Sequence, residues 1–458
     1  MDNKIFFAVL AVIGIAALVA LLLSAYIPFL FRGSSRAADP LKDFAPLPAD
    51  EKVALVEDPH TSAKLRLELI RNARESILIS YHTFADGIYS SMFVSELMQA
   101  ADRGVHITFM NDGMIGGLCS GSRKIAAIMN SHENFEMYFY EPFSIIPYRW
   151  NNRLHDKYLL VDGQYLLTGG RNISDKTFMP DGFRNEVVFD RDIFITGEKD
   201  RGIMQSIAYY DSCLKASKST RRMKVKDIPR AKIDELIQLG RDNTEKHPEL
   251  GGDVETLRFF DAESIRLISN PIGRGSKKPL IWDEILRLAE ETPGKMIIQS
   301  PYIVPFNSQL RDLYGLHKDM VFVTNSLRTT PNLPAFPHYL RNRYKIQDIA
   351  PIYEYALEGS VHSKSIMIGD DISIIGSFNF DPRSLHLDTE TMYVIKSREF
   401  KEYLEGVTEK WKGASIVRVD NQDPVYPEGF TDNYTFLVIK DFLFRVLSVI
   451  LWPIMILV

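Results

Sequence analysis

Cysteine is nearly absent from this 458-residue chain, which carries only Cys119 and Cys213. That excludes a disulfide-dense scaffold and a multi-cysteine zinc site, and it leans toward a reducing compartment without fixing one. A strong excess of one charge is missing too. The formal net charge of −5 advertises no basic surface, so nucleic acid is not the expected partner, although a local basic patch would be compatible with that average. Between Ile5 and Phe31 charge is absent altogether. A helix needs about 20 apolar residues to cross the hydrocarbon core, whereas the apolar part of a cleaved signal peptide usually runs about 7–15. The length favours an uncleaved single-pass anchor over residues 1–32, and Arg32 and Arg36 behind it weakly favour a cytoplasmic globular part.

What is present is a repeat. After a linker at 33–59, "SAKLRLELIRNARE" has helical spacing and "SILISYHTF" reads as a short buried strand. The order returns with "PLIWDEILRLAEETPG" and "KMIIQSPYIVP". Alternating helices and strands predict two tandem α/β sandwich domains with mixed sheets, at 60–250 and 251–425. "LKASKSTRRMKVK" between them suits either anionic lipid headgroups or a solvated loop. The tail, 426–458, ends in an apolar run with Trp452. That run is too short after Arg445 for a straight crossing, and reads as an interfacial helix or a hydrophobic helix docked on the domain.

Each half then carries one copy of a polar element: "RLHDKYLLVDGQYLLTGGRN" and "SVHSKSIMIGDDISIIGSFN". Read as a strand, the first puts His155 and Lys157 on one face, and the second does the same with His362 and Lys364. An asparagine follows each histidine at the same interval, from 155 to 172 and from 362 to 379. Gly169, Gly170 and Gly376 before them permit close approach of backbone to a ligand. Brought together, two lysines and two asparagines suit the oxygens of a phosphate diester, and Asn172 and Asn379 with Lys157 and Lys364 form the expected phosphate site. No metal or cofactor is called for, because these donors supply the charge stabilisation. One neutral imidazole can attack phosphorus, and the other, protonated, can protonate the leaving alkoxide. Each histidine wants a carboxylate to fix its tautomer. Glu390 and Asp190, which introduce apolar strands after the two motifs, are the candidates, with Asp192 as fallback in the first half.

The first copy, H-x-K-x4-D-x6-G-G-x-N, resembles the phospholipase D superfamily motif, and two copies in one chain resemble its two-domain members. "TGGRNISD", "TNSLRTTPNLPAFPHYLRNRY" and "GSFNFDPRSLHLDTE" are similar to bacterial cardiolipin synthases, especially the type C branch. The resemblance implies metal-free transfer of a phosphatidyl group between phospholipids through a phosphohistidine, at the bacterial cell membrane. Phosphatidylglycerol is the implied substrate, with phosphatidylethanolamine as a further candidate. It also implies His155 as nucleophile, His362 as acid, and a role for the motif Asp162. The second copy departs from the pattern, with Gly369 at that place and Asp370 and Asp371 behind it. Three explanations stand: the position serves a hairpin turn, Asp370 replaces the missing carboxylate, or the second half is weakened. Hydrolysis by a phospholipase or nuclease, and a lapsed membrane scaffold, are the competing functions.

Overall fold

The two halves fold alike. In the computed structural model, which describes residues 3–30, 37–179, 187–252, 254, 256–330, 332, 334–430 and 434–450, each half builds a mixed sheet. The first runs, edge to edge, Phe259–Asp261, Glu51–Val56, Asp192–Gly197, Tyr165–Gly169, Tyr158–Val161, Ser76–Tyr81, His106–Asp112, Phe135–Tyr140 and Thr220–Arg222. The second runs Ser264–Ser269, Thr391–Lys396, Ile372–Gly376, Ser365–Ile368, Met296–Gln299, Met320–Asn325, Ile352–Tyr355 and Ser415–Arg418. Apart from the extra Phe259–Asp261 strand, the two orders match place by place, which is the duplication in three dimensions. Ser76–Tyr81 and Met296–Gln299 each pair in parallel with the next strand in sequence. Their largely apolar, non-alternating sequences fit strands covered on both faces.

Helices cover the outer faces. Pro59–Asn72 starts where the Asp58 carboxylate accepts the Thr61 amide at 2.6 Å, with Pro59 in the first turn. It buries Leu65, Leu67, Leu69 and Ile70, each worth about 1.5–3 kcal/mol when fully covered. Leu280–Glu291 repeats this in the second half with Ile281, Trp282, Ile285 and Leu288. Between the halves lies one shared core. Leu160, Leu166 and Ile195 of the first sheet cluster with Ile297, Met367, Ile375 and Ile395 of the second. The sheets are therefore packed on one another, and the ends of their central strands face a common cleft.

Two expectations change. His155 and Lys157 do not lie in a regular strand, because that strand begins at Tyr158; Leu154 is instead bridged in parallel to Thr389 of the other half. The basic stretch is only partly a solvated loop. Thr220–Arg222 is an edge strand on Phe135–Tyr140, and Arg222 pairs with Glu136 at 2.7 Å. At the N-terminus, Asn3–Leu30 is helical, but among the described residues no helix is long and apolar enough to cross a membrane. Tyr434–Ile450 is a helix whose Phe444 packs on Phe336. Trp452 lies outside the described residues.

Candidate active site

The element that carries each histidine is held by the opposite half. Leu154 bridges Thr389 in parallel, and the His155 amide donates to the Thr389 carbonyl at 3.2 Å. In the mirror arrangement Ser360–Val361 pairs in parallel with Val188–Phe189, and the His362 amide donates to the Phe189 carbonyl at 2.6 Å. The residue after each of those carbonyls is a carboxylate. So His155 Nδ1 meets Glu390 at 2.9 Å, and His362 Nδ1 meets Asp190 at 2.6 Å. Both carboxylates predicted from sequence are present, but each serves the histidine of the other repeat. The fallback, Asp192, is committed elsewhere: it lies 2.9 Å from Arg66 and 3.0 Å from Arg171 in a buried network.

With Nδ1 engaged, His155 keeps Nε2 for a ligand, whereas Nε2 of His362 has the Lys364 ammonium beside it. His155 and His362 line one cavity of about 450 Å³ together with Asn172. Lys157 and Lys364 turn their ammonium groups onto the carbonyls of His155 and His362, and Lys364 Nζ lies 3.3 Å from His362 Nε2. Asn172 accepts the Thr83 amide through Oδ1 at 3.0 Å, which leaves its amide nitrogen as a donor. Asn379 donates to the Tyr302 hydroxyl at 3.1 Å, and its Oδ1 is buried without a partner.

Burial sets the electrostatics. It pushes the His155 imidazole well below its usual range, and Lys157, His82 and Lys364 push further. His362 falls to about 4, first through burial and then through Lys364, against the pull of Asp190. Burial also takes Lys157 down to about 7. The carboxylates diverge. Burial would raise Asp190, but Lys364 and His362 outweigh it and hold the group well below the carboxylate range. Glu390 goes the other way: burial raises it well above its ordinary value despite Lys157, Ser377 and Ser384. Burial thus favours neutral imidazoles in the cleft, and an anion between them would raise both toward the charged form.

Asp162 does not join this cluster. It sits in the hairpin at the far end of the strand from His155, about 20 Å away at the strand rise. Its oxygens accept the amides of Arg74, Glu75 and Ser76 at 2.8–3.0 Å. Gly369 at the matching turn has φ +60°, and a Cβ there would lie 2.6 Å from the Pro293 carbonyl. The second hairpin has no room for the missing aspartate, and the position serves the turn in both halves. The motif glycines also differ from expectation. A Cβ on Gly170 would stand 2.0 Å from Asp190 Oδ1, so this glycine admits the carboxylate behind the histidine, where a ligand had been expected.

Several residues of the cleft had not been anticipated. His82 donates through Nδ1 to the Leu154 carbonyl, 2.6 Å away, with its ring 5.0 Å from that of His155. Ser384 donates to Glu390 at 2.6 Å, and Ser377 also bonds it. Asn325 clamps both backbone groups of Val361, next to His362, at 3.0 and 2.7 Å. His82 and Tyr302 each follow a parallel strand at its carboxyl end, the usual ligand side of an open α/β sheet; that position was the available signal.

A family model described as "Cardiolipin synthase, PLD-like domain" matches residues 67–197 and 286–411, more than half of the chain and one match per repeat. Cardiolipin synthase C of Escherichia coli (strain K12) is 26% identical over 388 residues, covering 74% of this chain and 80% of its own. A cardiolipin synthase of Staphylococcus aureus (strain Mu50) is 23% identical over 364 residues, covering 78% and 67%. Among solved structures, phosphatidylserine synthase of Haemophilus influenzae superposes with a TM-score of 0.58 at 13% identity, over 89% of this chain and 95% of that one; this shows a shared fold. Two matched repeats, each supplying one histidine to a single cavity, place the chain in the cardiolipin synthase family of phospholipase D-like proteins.

Proposed function

We propose that the chain is a membrane-bound phosphatidyltransferase that moves a phosphatidyl group from one phospholipid to the alcohol of another. The observation that carries this reading is the pair of imidazoles in one cavity, each with Nδ1 on a buried carboxylate, with Nε2 of His155 left for a substrate. In the first step Nε2 of His155 attacks the diester phosphorus, and the bond from phosphorus to the departing glycerol oxygen breaks. His362 gives its proton to that oxygen. In the second step His362 takes the proton of the acceptor hydroxyl, the new P–O bond forms and the P–N bond breaks. Lys157, Lys364 and Asn172 bind the non-bridging oxygens, joined by Asn379 from the wall of the adjoining cavity.

The carboxylates support this division of roles. Asp190 stays ionised and can hold an imidazolium at His362, as an acid requires. Glu390 receives Nδ1 of His155 and fixes the tautomer that leaves the Nε2 lone pair free, while burial keeps His155 uncharged, as a nucleophile requires. The two repeats, 60–250 and 251–425, act as one unit. The uncharged N-terminal run acts as the anchor in a bacterial cell membrane, with the globular part on the cytoplasmic side, and raises the local concentration of lipid substrate. Phosphatidylglycerol is the proposed donor and acceptor, with phosphatidylethanolamine as a second partner lipid. The test is incubation of the membrane-embedded protein with labelled phosphatidylglycerol, with and without phosphatidylethanolamine. Cardiolipin with released glycerol is expected; phosphatidic acid as the only product overturns transfer in favour of hydrolysis.

A further inference from the structure

A second cavity, of about 420 Å³, adjoins the first and shares His82, His155, Tyr302 and Asn332 as its wall. It runs from His155 past Arg153 to Trp150 and to Leu21 and Ser24 of the N-terminal helix. Arg153 is 4% exposed. Its guanidinium donates to the Asn152 carbonyl at 3.1 Å and lies 2.9 Å from the Met114 sulfur. Among the described residues it makes no ion pair. A guanidinium has five N–H donors, and burying one with so few acceptors is costly.

The charges around it offset its burial only in part. Arg383 and Asp388 neutralise each other at 2.9 Å. Asp388 also accepts the Arg153 backbone amide at 3.2 Å. Asp112 spends its oxygens on the amides of Met114, Ile115 and Leu154. Asp381 accepts the Ser384 amide at 2.8 Å, and burial raises its carboxyl to about 7. Asp112, Asp388 and Glu141 pull the Arg153 guanidinium up, yet burial outweighs them and lowers it, so a further anion in this cavity would stabilise the cation.

We propose that Arg153 and its cavity form the subsite for the phosphodiester of the second lipid, the acceptor, while the two imidazoles hold the phosphorus of the donor next door. This rests on the transferase reading. A transfer between two lipids needs two headgroup places that meet at one phosphorus, and His155 is the wall common to both cavities. The planar fork of arginine suits two oxygens of a diester anion. Trp150 and Leu21 give the far end an apolar lining for the lipid backbone.

The test is acceptor selectivity. Full-length protein in mixed micelles receives one labelled short-chain phosphatidylglycerol as donor, and either lysophosphatidylglycerol or an uncharged monoacylglycerol as acceptor. Arg153→Gln is expected to lower the ratio of kcat/KM for the anionic acceptor to that for the uncharged one by about 10–100-fold, the loss of a charge-assisted hydrogen bond. Arg153→Lys, which keeps the charge and loses the fork, is expected to fall between Gln and wild type, and it serves alone if the Gln variant does not fold. An unchanged ratio in a folded variant overturns the subsite and leaves the transferase standing. Wild-type protein that consumes donor but transfers to neither acceptor overturns the transferase reading and the subsite with it.

Discussion

Each histidine of the cleft is paired with a carboxylate that differs from its counterpart in chemistry, and this asymmetry can be measured. Asp190 raises the pKa of His362 through charge and hydrogen bond. Asp190→Asn is therefore expected to move the His362 titration below about 4 and to lower kcat about 10²–10⁴-fold, the usual worth of general acid–base catalysis; NMR titration of the imidazole and steady-state kinetics check both. Stability carries a related signature. The folded pKa of His362 is about 4 against an ordinary 6.5, so between those values the unfolded chain takes up a proton that the folded chain does not. This contribution favours folding above pH 6.5 and is lost as pH falls toward 4. A bound anion opposes it, so inorganic phosphate is expected to raise Tm more at pH 5 than at pH 8, as a thermal melt would read. At the hairpin, Gly369→Asp restores the motif residue yet places a Cβ against the Pro293 carbonyl at a left-handed φ. It is expected to cost about 1–3 kcal/mol in denaturant unfolding with kcat of the folded protein unchanged.

Short backbone pairings between the repeats decide which side chains meet. Leu154 with Thr389, and Ser360–Val361 with Val188–Phe189, carry each histidine to the other half's carboxylate. Asn325 braces one of them through Val361 and Pro301. Asn325→Ala leaves those backbone groups unpaired, at about 1–3 kcal/mol, and is expected to lower kcat with little change in KM, because His362 is displaced while the phosphate donors stay. The strands and helices were legible in the sequence because their periods differ and because they occur twice: "SILISY" and "MIIQ" are the corresponding strands of the two halves. His155, Lys157, His362 and Lys364 were legible for the same reason. The crossing of Asp190 and Glu390 was not, since a pairing of one or two residues between distant segments leaves no periodicity. Nor was Arg153, a buried guanidinium with no carboxylate at ion-pair distance among the described residues.

At the scale of the whole molecule, neither repeat holds a complete site. Each would keep its histidine and lose the carboxylate that orients it, and the shared core of Leu160, Ile195, Ile297 and Ile395 would be laid open. Residues 1–261 and 262–458 expressed separately are expected to be inactive and prone to aggregate, with activity returning only on co-expression; activity of either half alone in the transfer assay would contradict the crossed site. The convergence of two imidazoles on one phosphorus has a more direct test. Native mass spectrometry of the His362→Ala protein, mixed with a short-chain phosphatidyl-p-nitrophenol whose phenolate leaves without a proton donor, should find a phosphatidyl adduct on His155 that lingers because the general base is gone. Transfer at the wild-type rate by His155→Ala, with no adduct on either histidine, would contradict it.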